Sequence, residues 1–223
     1  MQLLKMVPWD TAVFGVDCYE LSDYDDESLR LATATPGHFT VRVPPLADRS
    51  ALFENGFYFA DSLITPYCSK DQFKPYSHTM ISVTRDVDLG AVLEIAKGAF
   101  LHGRFHKDPY INDDDAETRY ANWIRQLHQE GAIYGLLYDR QPGGFIAVKD
   151  NCLVLHAVHK RYRGKGLAKY FWTPVCKQLF AEGFDFITSS ISATNLPVVN
   201  LYISLGFRMQ TSLDIYHLLN SDK

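Results

Sequence analysis

Positive charge is in short supply in this sequence. Lys and Arg number 22 against 26 Asp and Glu, giving a net charge of −4 and a pI near 6.0. An acidic chain has no general attraction to nucleic acid or to an anionic membrane surface, so neither partner is expected. Long apolar runs are missing too. No segment reaches bilayer-spanning length, and "MQLLKMVPWD" lacks the apolar middle of a secretory leader. The four cysteines, Cys18, Cys68, Cys152 and Cys176, stand far apart, with no pair at zinc or redox spacing. No metal site is expected from them, and they read as reduced thiols. Together these absences describe a soluble, cytoplasmic protein. Its 223 residues suit one large domain or two small ones.

What the chain lacks overall it concentrates at one place. "HKRYRGKGLAKY", His159 to Tyr170, holds six basic side chains and two glycines in twelve positions. The preceding "CLVLHAVH" alternates as a strand should, and a helical pattern follows as far as about Glu182, where Gly183 stops it. Strand, glycine turn, helix is the general design of a pyrophosphate site. Glycines let backbone N–H groups approach a phosphate without a Cβ in the way, and a helix N-terminus adds partial positive charge. Arg161, Arg163 and Lys165 can supply further charge at the rim. Two better-known phosphate loops fit less well. Lys165 is followed by Gly166 where a P-loop needs Ser or Thr, and Lys169 stands where the dinucleotide fingerprint needs a third small residue.

Along the rest of the chain, the polar stretch Ser69 to His78 marks the best boundary. It divides a small α/β region, 1–78, from a larger one, 79–223. Beyond it the pattern predicts a strand in "TMISVTR", then a helix started by Asp86 or Asp88, then a loop "LHGRFHKDPYIN". A second, amphipathic helix opens on "DDDAE" and ends at Gly131. The strands "AIYGLLYDR", "GGFIAVKD" and "CLVLHAVH" come next. After the glycine turn and its helix come a strand "DFITSSI", a helix "NLPVVNLYISLG" and a bent or paired final strand. Pro174 lies inside the predicted helix, where proline costs ~3 kcal/mol or forces a kink. Ala51–Leu63 also echoes Leu201–Leu213: Gly56, Phe57, Ser62 and Leu63 recur as Gly206, Phe207, Ser212 and Leu213. Such an echo suggests a degenerate internal repeat.

At these residues the sequence resembles a family. "AVHKRYRGKGLA" resembles the acyl-CoA-binding motif of the GNAT superfamily of N-acyltransferases at Arg161, Gly164 and Gly166. "ATNLPVVNLYISLGF" resembles that superfamily's Asn…Tyr-x-x-x-Gly-Phe segment at Asn195, Tyr202, Gly206 and Phe207. "PWDTAVFG", "GRFHKDPYI" and "RYANWI" are similar to a narrower group, the bacterial TDP-fucosamine acetyltransferases. The resemblance implies a GNAT acyl-CoA N-acyltransferase fold of α+β type, a mixed central sheet flanked by helices. A smaller, partial GNAT-like α/β domain would precede it. It implies acetyl-CoA as donor and, as acceptor, the amine of a small molecule such as a nucleotide-linked deoxysugar of lipopolysaccharide biosynthesis. A homodimer is usual in the narrower group. A GNAT acetylating a protein or peptide amine, and a non-catalytic CoA-binding GNAT, are the alternatives.

Carried residue by residue, the resemblance places the pyrophosphate on Arg161, Arg163, Gly164, Lys165 and Gly166. The pantetheine arm would run along the backbone of His156, Ala157 and Val158. Asn195 would bond that arm or cap its helix. Tyr202 would be the general acid toward the leaving thiolate, with the amine attacking directly. His156 and His159 border the donor strand as candidate bases, although alternation leaves open which face His156 takes. For the acceptor, Asp61 would face the sugar, Arg104 and His106 a diphosphate, and Phe105 or Tyr110 would stack on base or sugar.

Overall fold

The computed structural model describes residues 2–220. From the N-terminus the chain forms β1 (Leu4–Met6), α1 (Pro8–Phe14), β2 (Cys18–Leu21), α2 (Asp26–Ala34), β3 (Gly37–Val43), α3 (Ser50–Glu54) and β4 (Tyr58–Ser69). It continues through β5 (Ile81–Thr84), α4 (Leu89–Ala96), α5 (Arg104–Lys107), α6 (Asp113–Gln129), β6 (Ile133–Tyr138), β7 (Gln141–Lys149) and β8 (Cys152–Val158). A 3-10 turn over Lys160–Tyr162 leads to α7 (Ala168–Ala181), β9 (Phe186–Ser189), β10 (Ile191–Ser192), α8 (Leu196–Ser204) and β11 (Arg208–Asn220).

Local chemistry explains several of these ends. Pro8 opens α1, where a missing N–H costs nothing. Asp25 caps α2 by accepting from Ser28 N at 2.8 Å, and Asp88, of the two acids expected, caps α4 through Gly90 N at 2.8 Å. Three departures from the expected elements stand out. The loop at 101–112 contains the single-turn helix α5, the final strand is one continuous run, and α7 continues beyond Pro174. Proline removes the bond to the carbonyl four residues back. One residue earlier, Thr173 Oγ1 donates to Lys169 O at 2.8 Å and accepts from Tyr76 N at 3.0 Å, so this turn is tied from outside the ladder.

The chain forms two compact units. One comprises the segment up to Leu63, Leu101–Arg119 and the chain from Ser212 onward; the other comprises Ile64–Phe100 and Tyr120–Thr211. The division falls at Leu63, within β4, and not at 78, and two later segments return to the first unit. In the first unit β1 pairs antiparallel with β2, β2 runs parallel to β3, and β3 pairs antiparallel with β11 from Gly37↔Asn220 to Val43↔Asp214. Leu29, Ala32, Phe39, Val41, Leu52, Phe57 and Tyr216 form its core.

In the second unit β5, β6, β7 and β8 are successive antiparallel neighbours. β9 lies parallel to β8 and antiparallel to the end of β4, making the mixed sheet the sequence suggested. Alternating residues of β7 separate its two cores. Ile146 joins Phe171, Trp172, Val175 and Leu179 of α7, whereas Phe145 and Ala147 join Val92 and Ile95 of α4 and Ile124 and Leu127 of α6. Burying each of these large side chains contributes about 1.5–3 kcal/mol. Among the described residues no helix is long and apolar enough to cross a membrane.

The internal echo has a structural counterpart. After α3, Gly56 N bonds Phe53 O at 3.0 Å and Phe57 N bonds Leu52 O at 2.9 Å. After α8, Gly206 N bonds Ile203 O and Phe207 N bonds Tyr202 O, both at 3.0 Å. Both glycines have positive φ, +80° and +91°, so each helix closes through the same left-handed glycine into a strand.

Candidate active site

β8 positions the expected donor site. On one edge it is fully paired with β7, through Ile146↔His156, Phe145↔Ala157 and Gly144↔Val158. On the other edge its pairing with β9 consists of Cys152↔Thr188 and Leu153↔Ser189. Beyond Leu153 the two parallel strands part, leaving the second edge of His156, Ala157 and Val158 without a strand partner among the described residues.

The turn that follows is held from within. His159 N bonds Gly143 O at 2.8 Å, and His159 Nδ1 accepts from Arg161 N at 3.1 Å, so this imidazole caps the turn. Its pKa is lowered by partial burial and then by the charges of Arg161, Lys160 and Arg163. Arg163 Nε donates to Val158 O at 2.8 Å, folding the side chain back onto the strand. Gly164 and Gly166 take φ of +71° and +68°, and a Cβ at either would meet nothing within 4 Å. Among the described residues no protein acceptor faces the amides of Gly164, Lys165 and Gly166. The open side of each glycine and the unspent amides fit an anion laid across the start of α7. Beside the turn a cavity of about 100 Å³ is lined by Glu94, Ile95, Lys97, His159, Lys160 and Arg163.

α8 brings Tyr202 to the same strand. Asn195 occupies the N-cap position, where its carbonyl accepts from Val198 N and Val199 N at 3.0 Å, but its side chain makes no capping bond. Tyr202 is fully buried, 0 % exposed, with its ring edge-on to Phe207 at 4.8 Å. Its hydroxyl lies 3.0 Å from His156 Nε2, which settles that the His156 side chain faces α7 and α8. The Trp172 indole stands edge-on to His156 at 5.0 Å. Burial pushes the Tyr202 phenol above its usual value, opposed by Ser189 and Trp172, and pushes the His156 imidazole down to about 4.

In the first unit the expected acceptor residues fare differently. Asp61 is 1 % exposed and pairs with Lys107 at 2.6 Å, so it is an interior acid already engaged by a cation. Phe105 is 3 % exposed, packed against Phe14 at 5.5 Å and His217 at 5.9 Å and covered by the Arg119 guanidinium at 4.0 Å. That ring is core and offers no face for stacking on a base. The Arg104 guanidinium lies over the same ring at 4.6 Å. His106 is engaged by Asp113 at 3.2 Å and Glu117 at 3.5 Å, and two acids around an imidazole make a poor diphosphate site. Tyr110, 62 % exposed and 5.2 Å from the Tyr58 ring, has a free face.

Sequence reading missed a buried cluster in this unit. Asp108 Oδ2 receives His38 Nε2 at 3.0 Å and His217 Nδ1 at 2.6 Å, while Tyr58 and the Tyr110 amide also donate to the carboxylate. Burial alone would raise this carboxyl; the bonds from His217 and His38 overcome it and hold it well below the usual range. Among the described residues these three are the one His/Cys/Asp/Glu group close enough to share a metal ion. Their separations are those of N–H···O bonds, so the cluster reads as a proton-linked network. Its members lie 70 and 109 residues apart, with no local spacing to signal them.

Residues 91–207 match the model of the acetyltransferase (GNAT) family. A stretch of 137 residues is 23% identical to the spore coat polysaccharide biosynthesis protein SpsD of Bacillus subtilis (strain 168), covering 59% of this chain and 47% of that protein. The chain thus spans about half the length of this curated relative. Among solved structures, a GCN5-related N-acetyltransferase from Sphaerobacter thermophilus superposes with a TM-score of 0.60 at 14% identity, covering 88% of this chain and 64% of that one. A tandem GNAT protein from the clavulanic acid biosynthesis pathway gives 0.59 at 10% identity, covering 94% and 77%. At such identities the likeness is one of fold.

Proposed function

Because the chain belongs to the acetyltransferase (GNAT) family, whose acyl donor is acetyl-CoA, we propose that it transfers an acetyl group to the amine of a small acceptor. The acceptor we infer is a nucleotide-linked amino deoxysugar used in building a surface polysaccharide. The observation that carries the donor half is the parted edge of β8 beside the glycine turn. A backbone edge takes an extended pantetheine arm as it would take another strand. The amides of Gly164, Lys165 and Gly166, with Arg161, Arg163 and Lys165 around them, would hold the pyrophosphate, and Asn195 borders the arm. The bound donor supplies a thioester for direct attack, so no protein nucleophile is needed. Cys152 fits that reading, since burial raises its thiol pKa and leaves no ready thiolate.

Tyr202 holds the proton for the departing sulfur. The acceptor half is supported by the polysaccharide biosynthesis named for SpsD. This reading also places the protein in the cytosol with the soluble nucleotide sugars. The test is thiol release from acetyl-CoA against dTDP-4-amino-4,6-dideoxygalactose, other nucleotide amino sugars and basic peptides. Release confined to a nucleotide sugar supports the proposal, and release confined to peptides overturns the acceptor. With an active acceptor, Tyr202→Phe should lower turnover by two orders of magnitude and leave acetyl-CoA affinity within about twofold. An unchanged rate would remove Tyr202 from its role.

A further inference from the structure

The acceptor's diphosphate has lost its expected site, because Arg104 lies over the Phe105 ring and His106 is engaged by two acids. Other groups suited to a phosphate line the second unit's cavity of about 100 Å³ beside the glycine turn. α4 and its C-cap contribute Glu94, Ile95 and Lys97, and the turn contributes His159, Lys160 and Arg163. Three cations and a single carboxylate thus share one small space. Ile95, 3 % exposed, gives it an apolar wall.

Backbone bonds fix how two of these side chains are presented. An amide only donates, so the 3.1 Å bond from Arg161 N to His159 Nδ1 leaves no proton on Nδ1. The ring proton of the neutral imidazole therefore sits on Nε2, which meets no protein acceptor among the described residues. A carbonyl only accepts, so Arg163 spends Nε on Val158 O at 2.8 Å and keeps its two terminal nitrogens as donors. Among the described residues Lys97, Lys160 and Arg163 make no ion pair with a carboxylate. Like charges gathered without a counter-charge repel, and a phosphate relieves that repulsion while accepting from ammonium, guanidinium and imidazole N–H together.

We propose that this pocket binds a phosphate group of one of the reactants, separate from the pyrophosphate on the glycine turn. The inference rests on the acetyl-CoA and nucleotide-sugar reading, which supplies two sources of that chemistry: the 3′-phosphate of the donor and the diphosphate of the acceptor.

Calorimetric titration of the full chain with acetyl-CoA, 3′-dephospho-acetyl-CoA and dTDP tests the proposal and separates the sources. The variant is Lys97→Ala with Lys160→Ala, two exposed side chains that the donor reading does not use. Kd for one phosphate source should rise at least about tenfold in it. Glu94→Gln removes the opposing charge and should tighten the same ligand about twofold or more. Lys177→Ala, at an exposed position of α7 that does not line the pocket, should change neither affinity. If wild type prefers acetyl-CoA to its dephospho form and the double variant loses that preference, the pocket holds the donor's 3′-phosphate. If only dTDP weakens, it holds the acceptor's diphosphate. Unchanged affinities in the double variant, or an equal loss in Lys177→Ala, overturn the pocket. Wild type that binds no acetyl-CoA brings down the donor reading instead, and the pocket then stands or falls on dTDP.

Discussion

Two glycines with nearly the same backbone conformation should respond to alanine in opposite ways. Gly164 and Gly206 have φ of +71° and +91°, so alanine at either incurs the left-handed penalty of about 1–2 kcal/mol. At Gly164 the added methyl meets no protein atom within 4 Å. At Gly206 it would land on the carbonyl oxygen of Gln72, with the carbonyl carbon at 3.1 Å and Lys74 N at 3.3 Å. Backbone cannot swing aside as a side chain can, so overpacking adds about 1–3 kcal/mol. Gly206→Ala should therefore cost about 2–5 kcal/mol, a large part of a stability of about 5–15 kcal/mol. With a urea slope of about 2 kcal/mol/M, the midpoint should fall by roughly 1–2.5 M in Gly206→Ala and by about 0.5–1 M in Gly164→Ala. Affinity should follow the reverse order. The Gly164 methyl would occupy the side where we propose the pyrophosphate lies, so Kd for acetyl-CoA should rise at least about tenfold, or 1.4 kcal/mol. Folded Gly206→Ala should bind within about twofold of wild type. Calorimetric titration and urea denaturation followed by circular dichroism measure both quantities. Wild-type affinity in Gly164→Ala would mean that the open face of this glycine sees only solvent. Equal midpoints would mean that contact with Gln72 is not what demands glycine at 206.

The remaining predictions concern the buried histidines and the first unit. His217, fully buried, titrates near 4 when folded and near 6.5 when unfolded, because burial disfavours its charge. Between those values the unfolded chain binds more protons, so this stabilisation is complete above pH 6.5 and is lost as the pH falls toward 4. The loss is on the order of 3 kcal/mol, and His156 adds a similar one. Urea midpoints across pH 4–7 should show the decline, and His217→Gln should remove about half of it; an unchanged slope would contradict the neutral, buried imidazole. Phe105→Ala should cost about 3–5 kcal/mol by opening a core cavity, detected as a lower urea midpoint. Tyr110→Ala, at an exposed ring, should change stability by less than about 0.5 kcal/mol in the same urea measurement. A stable Phe105→Ala variant would return that ring to the surface.

How much of this was legible in the sequence depends on how local the determinant is. The donor cradle is local: strand, basic turn, paired glycines and helix lie within about thirty consecutive residues, and the conformations of Gly164 and Gly166 follow from what only glycine adopts freely. Tyr202 and Asn195 are legible for the same reason, set two helical turns apart on α8. The parting of β8 from β9 is not legible, because no residue type marks the point where two parallel strands diverge. Residues 101–119 show the limit most plainly. Their basic and aromatic side chains look like a ligand-binding loop, yet Phe105 is core, His106 faces two acids and Lys107 neutralises Asp61. What decides these roles is a partner brought in by another element: Asp61 of β4 for Lys107, His38 of β3 and His217 of β11 for Asp108, and Asp113 and Glu117 of α6 for His106. A basic side chain reads the same whether it awaits an anion or already holds one. Only the fold, by bringing those carboxylates within hydrogen-bond reach, separates a binding residue from a buried counter-charge.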